Sequence, residues 1–331
     1  MKAWLRYLAI FTLILSFAVL AACGGTSQPH KIRLFEVTHS IFYAPQYVAL
    51  TQGFFAEEGL EVELTNANGG DKAMTALLSG NAEIILMGTE ATIYVHNQGA
   101  TDPAINFAQL TQTDGSFLVS REPIDNFTWD MLKGKTLIGQ RKGGMPQMVS
   151  EYVQVNNGVV PFKDVEIIQN ISFANLGSAF ASGTGDYVQL FEPVASALEL
   201  EGKGHVVASF GVDSGKLPYT VYITRQSFIQ ENPEIVQKFT NAVYKAQQWV
   251  ATHSIEEIAD AISPHFSELN RETLLKVLER YKSQGSWATD PIIDEEEYQN
   301  LEAVMENAGE LSKKVKYEEI INTEFAKKAM E

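Results

Sequence analysis

Two acidic residues stand where a strand hands over to a helix: Glu90, in Met87-Gly88-Thr89-Glu90, and Glu192, in Phe191-Glu192-Pro193. A carboxylate there can accept hydrogen bonds from an amine-bearing ligand, or work in a pair as in glycoside hydrolysis. The turn Gly139-Gln140-Arg141-Lys142-Gly143-Gly144-Met145-Pro146 offers the opposite chemistry. The Arg141 guanidinium and the N–H groups of Gly143 and Gly144 suit an anionic head. Asn66-Ala67-Asn68-Gly69-Gly70-Asp71 exposes backbone N–H groups at a helix start, with Asp71 as a cap or a ligand contact. Thr38-His39-Ser40-Ile41-Phe42-Tyr43-Ala44-Pro45 adds an imidazole, hydroxyls and two rings. Phe42, Tyr43, Phe191 and Tyr219 can sandwich a ring between them.

Each residue also fits a plainer role. Gly69-Gly70 makes a tight turn, Glu90 complements a helix dipole, Phe42 and Tyr43 fill core, and Arg141-Lys142 is a solvated loop. What unites them is position after a strand, where open α/β sheets bind ligands.

The positioning elements follow from periodicity. Strands are expected at 32–37, 60–64, 82–87, 106–110, 136–138, 165–168, 187–190 and 206–209. Helices are expected at 44–52, 71–79, 92–97, 146–156, 176–182 and 194–201. Short loops between such units imply mostly parallel sheets with helices on both faces. Gly115–Arg121 and Pro218–Arg225 read as alternating strands that bracket the second set of units. They are expected to be neighbours where the chain crosses between lobes and returns. Beyond Arg225 helices are expected at 233–251, 255–262, 271–283, 295–308 and 317–330, with Pro233 suited to the first helical position.

Lys2 and Arg6 precede an apolar run, Tyr7–Leu20, too short to span a bilayer comfortably. It ends in Leu20-Ala21-Ala22-Cys23, the only cysteine among 331 residues. This resembles a bacterial lipoprotein signal, which implies cleavage before Cys23, lipidation of its thiol, and anchoring at the cell membrane facing the extracytoplasmic side. Gly24–His30 reads as a flexible tether. Once Cys23 is acylated no thiol remains, which excludes disulfides, thiolate metal sites and a cysteine nucleophile. Losing residues 1–22 removes two of 25 basic residues and no acidic one, leaving 23 against 41, a net charge of −18. So acidic a chain repels phosphate backbones, which argues against nucleic-acid binding.

An ordered set of segments carries a family resemblance: Ile41–Ala49, then Gly53-Phe54-Phe55-Ala56-Glu57-Glu58-Gly59-Leu60-Glu61-Val62, then Gly69-Gly70, then Ala76–Ile84. It resembles the solute-binding proteins of ABC importers for aliphatic sulfonates, nitrate or taurine, and thiamine-pyrimidine precursors. The resemblance implies a type II periplasmic-binding-protein-like α/β fold: two lobes, mostly parallel sheets, a two-strand hinge, and a helical C-terminal region on lobe 1. Expected boundaries are 1–22 for the signal, 23–30 for the tether, 31–121 plus 215–331 for lobe 1, and 122–214 for lobe 2. It implies a monomer that delivers a small molecule to a permease and its ATPase, without cofactor or metal. The implied ligand-binding residues are His39, Ser40, Phe42, Tyr43, Gly69, Gly70, Asp71, Gly88, Thr89, Glu90, Arg141, Gly143, Gly144, Met145, Phe191, Glu192 and Tyr219. His39 falls near a loop histidine of the pyrimidine-precursor branch, without the asparagine that usually precedes it. The cysteine-rich motif of the related eukaryotic pyrimidine synthases is absent.

Paired carboxylates favour a nitrogen heterocycle, and the basic turn favours a sulfonate, taurine or nitrate-type anion. The reading inclines to the heterocycle. An extracytoplasmic enzyme using Glu90 and Glu192 is the alternative from another class. Against it, the chain lacks Gly-x-Ser-x-Gly, His-Glu-x-x-His and a clustered histidine set. A receptor-coupled sensor would share the fold and differ in partner.

Overall fold

The computed structural model describes residues 28–331, so the signal-peptide and Cys23 expectations lie outside the described residues. Among the described residues, ten strands form two five-stranded sheets. The first contains β1 (His30–Glu36), β2 (Leu60–Asn66), β3 (Ile84–Met87), β4 (Ala104–Thr111) and β10 (Thr220–Arg225), in the order β2-β1-β3-β10-β4. The second contains β5 (Ser116–Ser120), β6 (Thr136–Ile138), β7 (Glu166–Ile168), β8 (Tyr187–Phe191) and β9 (His205–Ser209), in the order β7-β6-β8-β5-β9. In each sheet one strand, β10 or β5, runs against the other four. Those two strands are the ones that follow a crossing between lobes.

The apolar runs explain the layering. Every residue of Ile84-Ile85-Leu86-Met87 in β3 is buried, as a strand covered on both faces requires. The helices begin and end where their capping residues dictate. Pro233 opens helix Pro233–Thr252, Ser254 and Glu257 form a capping box on Ile255–Ile262, and the Asn270 side chain accepts from Thr273 N. Gly285, at φ 69°, closes helix Arg271–Gln284 in the left-handed conformation that glycine tolerates.

The expected neighbour relation of Gly115–Arg121 and Pro218–Arg225 needs correction. The strands themselves, β5 and β10, lie in different sheets. The segments just outside them run side by side instead: Tyr219 N donates to Thr111 O at 3.1 Å and Leu217 N to Gln112 O at 3.0 Å. Those two bonds make the hinge, and the chains diverge beyond it. A third segment flanks it, with Gln112 N on Ser286 O, Ala288 N on Leu110 O, and Trp287 bridged to Thr111.

The expected single helix over 317–330 is two short ones, Tyr317–Ile320 and Glu324–Ala329. Between them Ile321 bridges Asn106 of β4, Asn322 N donates to Asn106 O, and Asn106 Nδ2 donates to Ile320 O. Pairing with a sheet edge outweighs continuation of the helix. Helices Phe210–Ser214 and Gln226–Glu231 are additional elements. The C-terminal helices pack on the first lobe, and two of them also reach the second. Helix Arg271–Gln284 meets Val194–Leu200, and Glu295–Asn307 meets Met145–Asn156.

Candidate functional site

The two lobes meet over an aromatic wall. Ile41–Tyr43 is a single 3₁₀ turn after β1, started by the Ser40 side chain, which accepts from Phe42 N. That turn aims the Phe42 ring at rings from several parts of the fold: Tyr281 at 5.2 Å, Tyr219 at 5.6 Å, Tyr43 at 5.8 Å and Phe191 at 5.9 Å. The ring lies against the hinge backbone, since a Cβ on Gly115 would stand 2.6 Å from it. Trp287 Nε1 donates to Phe42 O at 3.0 Å and holds the turn in place.

Polar groups converge beside this wall, and several lack partners. Glu90 begins helix Glu90–Asn97 and is buried. Its Oε2 has no hydrogen-bond partner. Burial pushes its carboxyl up to about 7, partly offset by its own N–H and by that of Met145, which starts helix Met145–Asn156 in the other lobe. The buried Thr89 hydroxyl anchors this helix start by donating to Pro218 O at 2.7 Å. Asp114 in the hinge is wholly buried. Its Oδ1 accepts from the Ser116 hydroxyl and N–H, and its Oδ2 is unpartnered. Burial pushes it up to about 6, against the opposing pull of Ser116 and Tyr219. Gln189 Oε1 and the Tyr219 hydroxyl are likewise buried and unpartnered. Both carboxylates hold the Tyr219 phenol well above its ordinary range, after burial itself.

Tyr219 of this aromatic enclosure feels both carboxylates, and Gln189 reaches Asp114 through the Ser116 hydroxyl. Such a set accepts hydrogen bonds from a small ligand, and the rings supply its apolar contact.

A family model for NMT1/THI5-like proteins matches residues 41–256. The chain belongs to the NMT1/THI5-like family. It is 53% identical over 330 residues to the putative binding protein YtlA of Bacillus subtilis, covering 99% of this chain and 98% of that one. It is 23% identical to the formylaminopyrimidine-binding protein of Halalkalibacterium halodurans, over 83% of this chain and 86% of that one. Its fold is similar to that of the alkanesulfonate-binding protein of Xanthomonas axonopodis bound to MOPS, with a TM-score of 0.70 at 16% identity, covering 90% and 100% of the two chains. Both curated relatives are named as binding proteins, and neither as an enzyme.

Several residues singled out from sequence sit elsewhere. His39 does not face the enclosure. Its Nδ1 lies 2.9 Å from Glu36 Oε1 and its Nε2 lies 2.8 Å from His265 O. Both partners are acceptors, so the ring carries both hydrogens, and the bond to Glu36 raises its pKa above the ordinary 6.5. It stacks on Phe266 at 4.6 Å and straps the first strand to the C-terminal helices.

Glu192 is not a free acceptor either. Arg280 and the Ser196 hydroxyl hold Oε1, and Ser196 N holds Oε2 at 2.9 Å. The expected pairing of Glu90 with Glu192 is therefore not formed, and Glu90 Oε2 and Asp114 Oδ2 are the carboxylate oxygens left without a partner beside the hinge. Arg141 is exposed, Gly143 N is already donated to Gln147 Oε1, and Gly143 O accepts from Tyr94 of the first lobe at 3.3 Å. The basic turn closes against the opposite lobe. Gly144 caps helix Met145–Asn156 without offering a side chain.

Gly69, at φ 146°, turns the chain so that Gly70 begins its helix, and Asp71 is exposed. Gly88 has no room for a side chain, because a Cβ would strike the Glu90 carboxylate.

Asp114, Gln189, Tyr281 and Trp287 were not anticipated. Gln189 carried a legible signal, as the one polar residue within Tyr187-Val188-Gln189-Leu190-Phe191. Tyr281 and Trp287 approach from a helix and loop far along the chain, and local pattern contains no trace of that.

Proposed function

We propose that the protein captures a small nitrogen heterocycle bearing amino groups, of the thiamine-pyrimidine-precursor kind, and delivers it to the permease of an ABC importer. One observation carries this reading. The unpartnered buried atoms at the junction of the lobes are acceptors or a phenol: Glu90 Oε2, Asp114 Oδ2, Gln189 Oε1 and Tyr219 Oη. A ligand that donates hydrogen bonds satisfies them, whereas a sulfonate or nitrate would meet two carboxylates. The basic groups that might offset this are otherwise placed. Arg280 is held by Glu192 and Glu199, and Arg141 is in solvent. The relative named for binding a formylaminopyrimidine supports the same choice.

The mechanism is hinge closure. Ligand bridging Phe42 and Glu90 of one lobe and Phe191 and Gln189 of the other favours the closed state by its differential affinity.

A thermal-shift series with 4-aminopyrimidine, taurine, an alkanesulfonate and nitrate tests the assignment. The aminopyrimidine is expected to raise Tm while the anions leave it unchanged. Glu90→Gln should weaken the aminopyrimidine by roughly ten- to a hundredfold, the usual value of a hydrogen bond to a charged group. Stabilisation by the anions alone overturns the assignment.

Cys23 is proposed to carry the lipid that holds the protein at the outer face of the cell membrane, which the Leu20-Ala21-Ala22-Cys23 sequence supports. Among the described residues no helix is long and apolar enough to cross a membrane. Metabolic labelling with an alkyne fatty acid should mark the wild type and not Cys23→Ser.

A further inference from the structure

We propose that Asp114 and Gln189 form a second reading point, so that the ligand must present two separate donor groups, one to Glu90 and one to the hinge. This rests on the amine-ligand reading and narrows it to rings with two nitrogen donor sets, such as diamino heterocycles.

The orientation of both side chains is fixed by a relay. Gln189 Nε2 donates to Pro146 O at 2.9 Å and to Ser116 Oγ at 2.8 Å. Pro146 O can only accept, so the amide nitrogen must face it and Oε1 must point away. Ser116 Oγ passes its own hydrogen to Asp114 Oδ1, and Ser116 N–H donates to the same oxygen at 2.6 Å. Asp114 Oδ2 is what remains. Gln140 Nε2 holds the strand from below through Gln189 O at 2.9 Å.

The relay therefore leaves two wholly buried acceptors, Oδ2 and Oε1, without a hydrogen bond of ordinary length, with the Tyr219 phenol beside Asp114. Tyr219 stands beside Asp114 without a hydrogen bond of ordinary length to it, its hydroxyl free to turn to a ligand. Leaving such groups buried and unmatched is costly, which is the signature of a site completed from outside. Asp114 sits where the chain crosses between lobes, so a donor bound there holds the hinge itself.

Calorimetric titration of the full mature chain with 4-aminopyrimidine, 2,4-diaminopyrimidine and taurine tests this. In the wild type the diamine should bind at least about tenfold tighter than the monoamine, the margin expected from one further charge-assisted bond. Asp114→Asn should erase that margin and leave the monoamine within about twofold. Glu90→Gln should weaken both pyrimidines alike. Tyr219→Phe, which leaves the relay intact, should narrow the margin and serves if Asp114→Asn does not fold.

An unchanged margin in Asp114→Asn would mean that Asp114 and Tyr219 satisfy each other, and equal losses for both pyrimidines would mean that Asp114 only props the hinge. Either result overturns the second reading point and leaves the first standing, as does equal, Glu90-dependent binding of both pyrimidines by the wild type. Taurine binding with no response to either pyrimidine overturns the amine-ligand reading and this inference together.

Discussion

In the ligand-free protein the lobes are expected to open as pH rises, and Glu90→Gln is expected to remove most of that response, leaving the smaller share of Asp114, which burial raises to about 6. The Glu90 carboxyl is enclosed when the lobes meet, which lifts it from 4.5 to about 7. A raised carboxyl favours the proton-bearing closed state. Its penalty is absent below pH 4.5, grows through the interval up to about 7, and is constant above it. Opening the lobes lets water reach the group and returns it to its ordinary value. Between pH 5.5 and 8 the open-to-closed ratio should therefore rise roughly thirtyfold, about 2 kcal/mol. Tyr43, Tyr94 and Tyr219, whose hydroxyls feel the same charge, all titrate far above this range and contribute nothing to the change. Glutamine keeps the shape and removes the charge. Small-angle scattering at the two pH values reads the result as radius of gyration: marked expansion in the wild type, and a much smaller one in the variant. Equal expansion in both proteins, or contraction of the wild type, would refute the argument that Glu90 burial opposes closure.

Removing Arg280 should destabilise the protein by about 3–5 kcal/mol in urea unfolding, because the wholly buried Glu192 side chain loses its countercharge. Combining Arg280→Met with Glu192→Gln should recover much of that loss. Gly211→Ala should lower stability by about 1–3 kcal/mol, since its Cβ would collide with Asp114 O and Gln284 Nε2 at the hinge; a neutral outcome in calorimetry would show that the hinge can widen freely. His39 has a pKa raised by Glu36, so the stability it contributes is full below pH 6.5 and fades as pH rises through its folded value. His39→Gln should accordingly depress Tm more at pH 5.5 than at pH 8.5.

The alternation of apolar runs and turn signals made the two α/β sheets legible, because buried parallel strands announce themselves as Val/Ile/Leu-rich segments. Phe42, Tyr43 and Glu90 were legible for a related reason: each follows directly on a strand. What stayed hidden depends on partners distant in sequence. Glu192 looks like a ligand contact until Arg280, 88 residues away, is found on it. His39 reads as a pocket residue until His265 supplies a carbonyl 226 residues away. Asp114 gave no sign because an aspartate before a glycine is the usual mark of an exposed turn, and it is distant parts of the chain, Phe42 at Gly115 and Gly211 and Gln284 at Asp114 O, that enclose it. The tail was misread as one helix because Tyr317–Met330 has helical composition, and only the edge of β4 interrupts it.

That same edge has a consequence for the order in which the molecule can be completed. The outward-facing groups of β4 and the residue after it are covered by Ile321 and Asn322 at Asn106, by Pro291 at Gln109, by Ala288 at Leu110 and by Ser286 at Gln112. All of these covers come from residues 286–322, which follow β4 far along the chain. Until they arrive, a strand whose every residue is buried in the native fold shows an open rim, the kind of surface on which copies adhere. Late closure makes residues 286–322 a guard against aggregation, and their loss would first be felt as lost solubility.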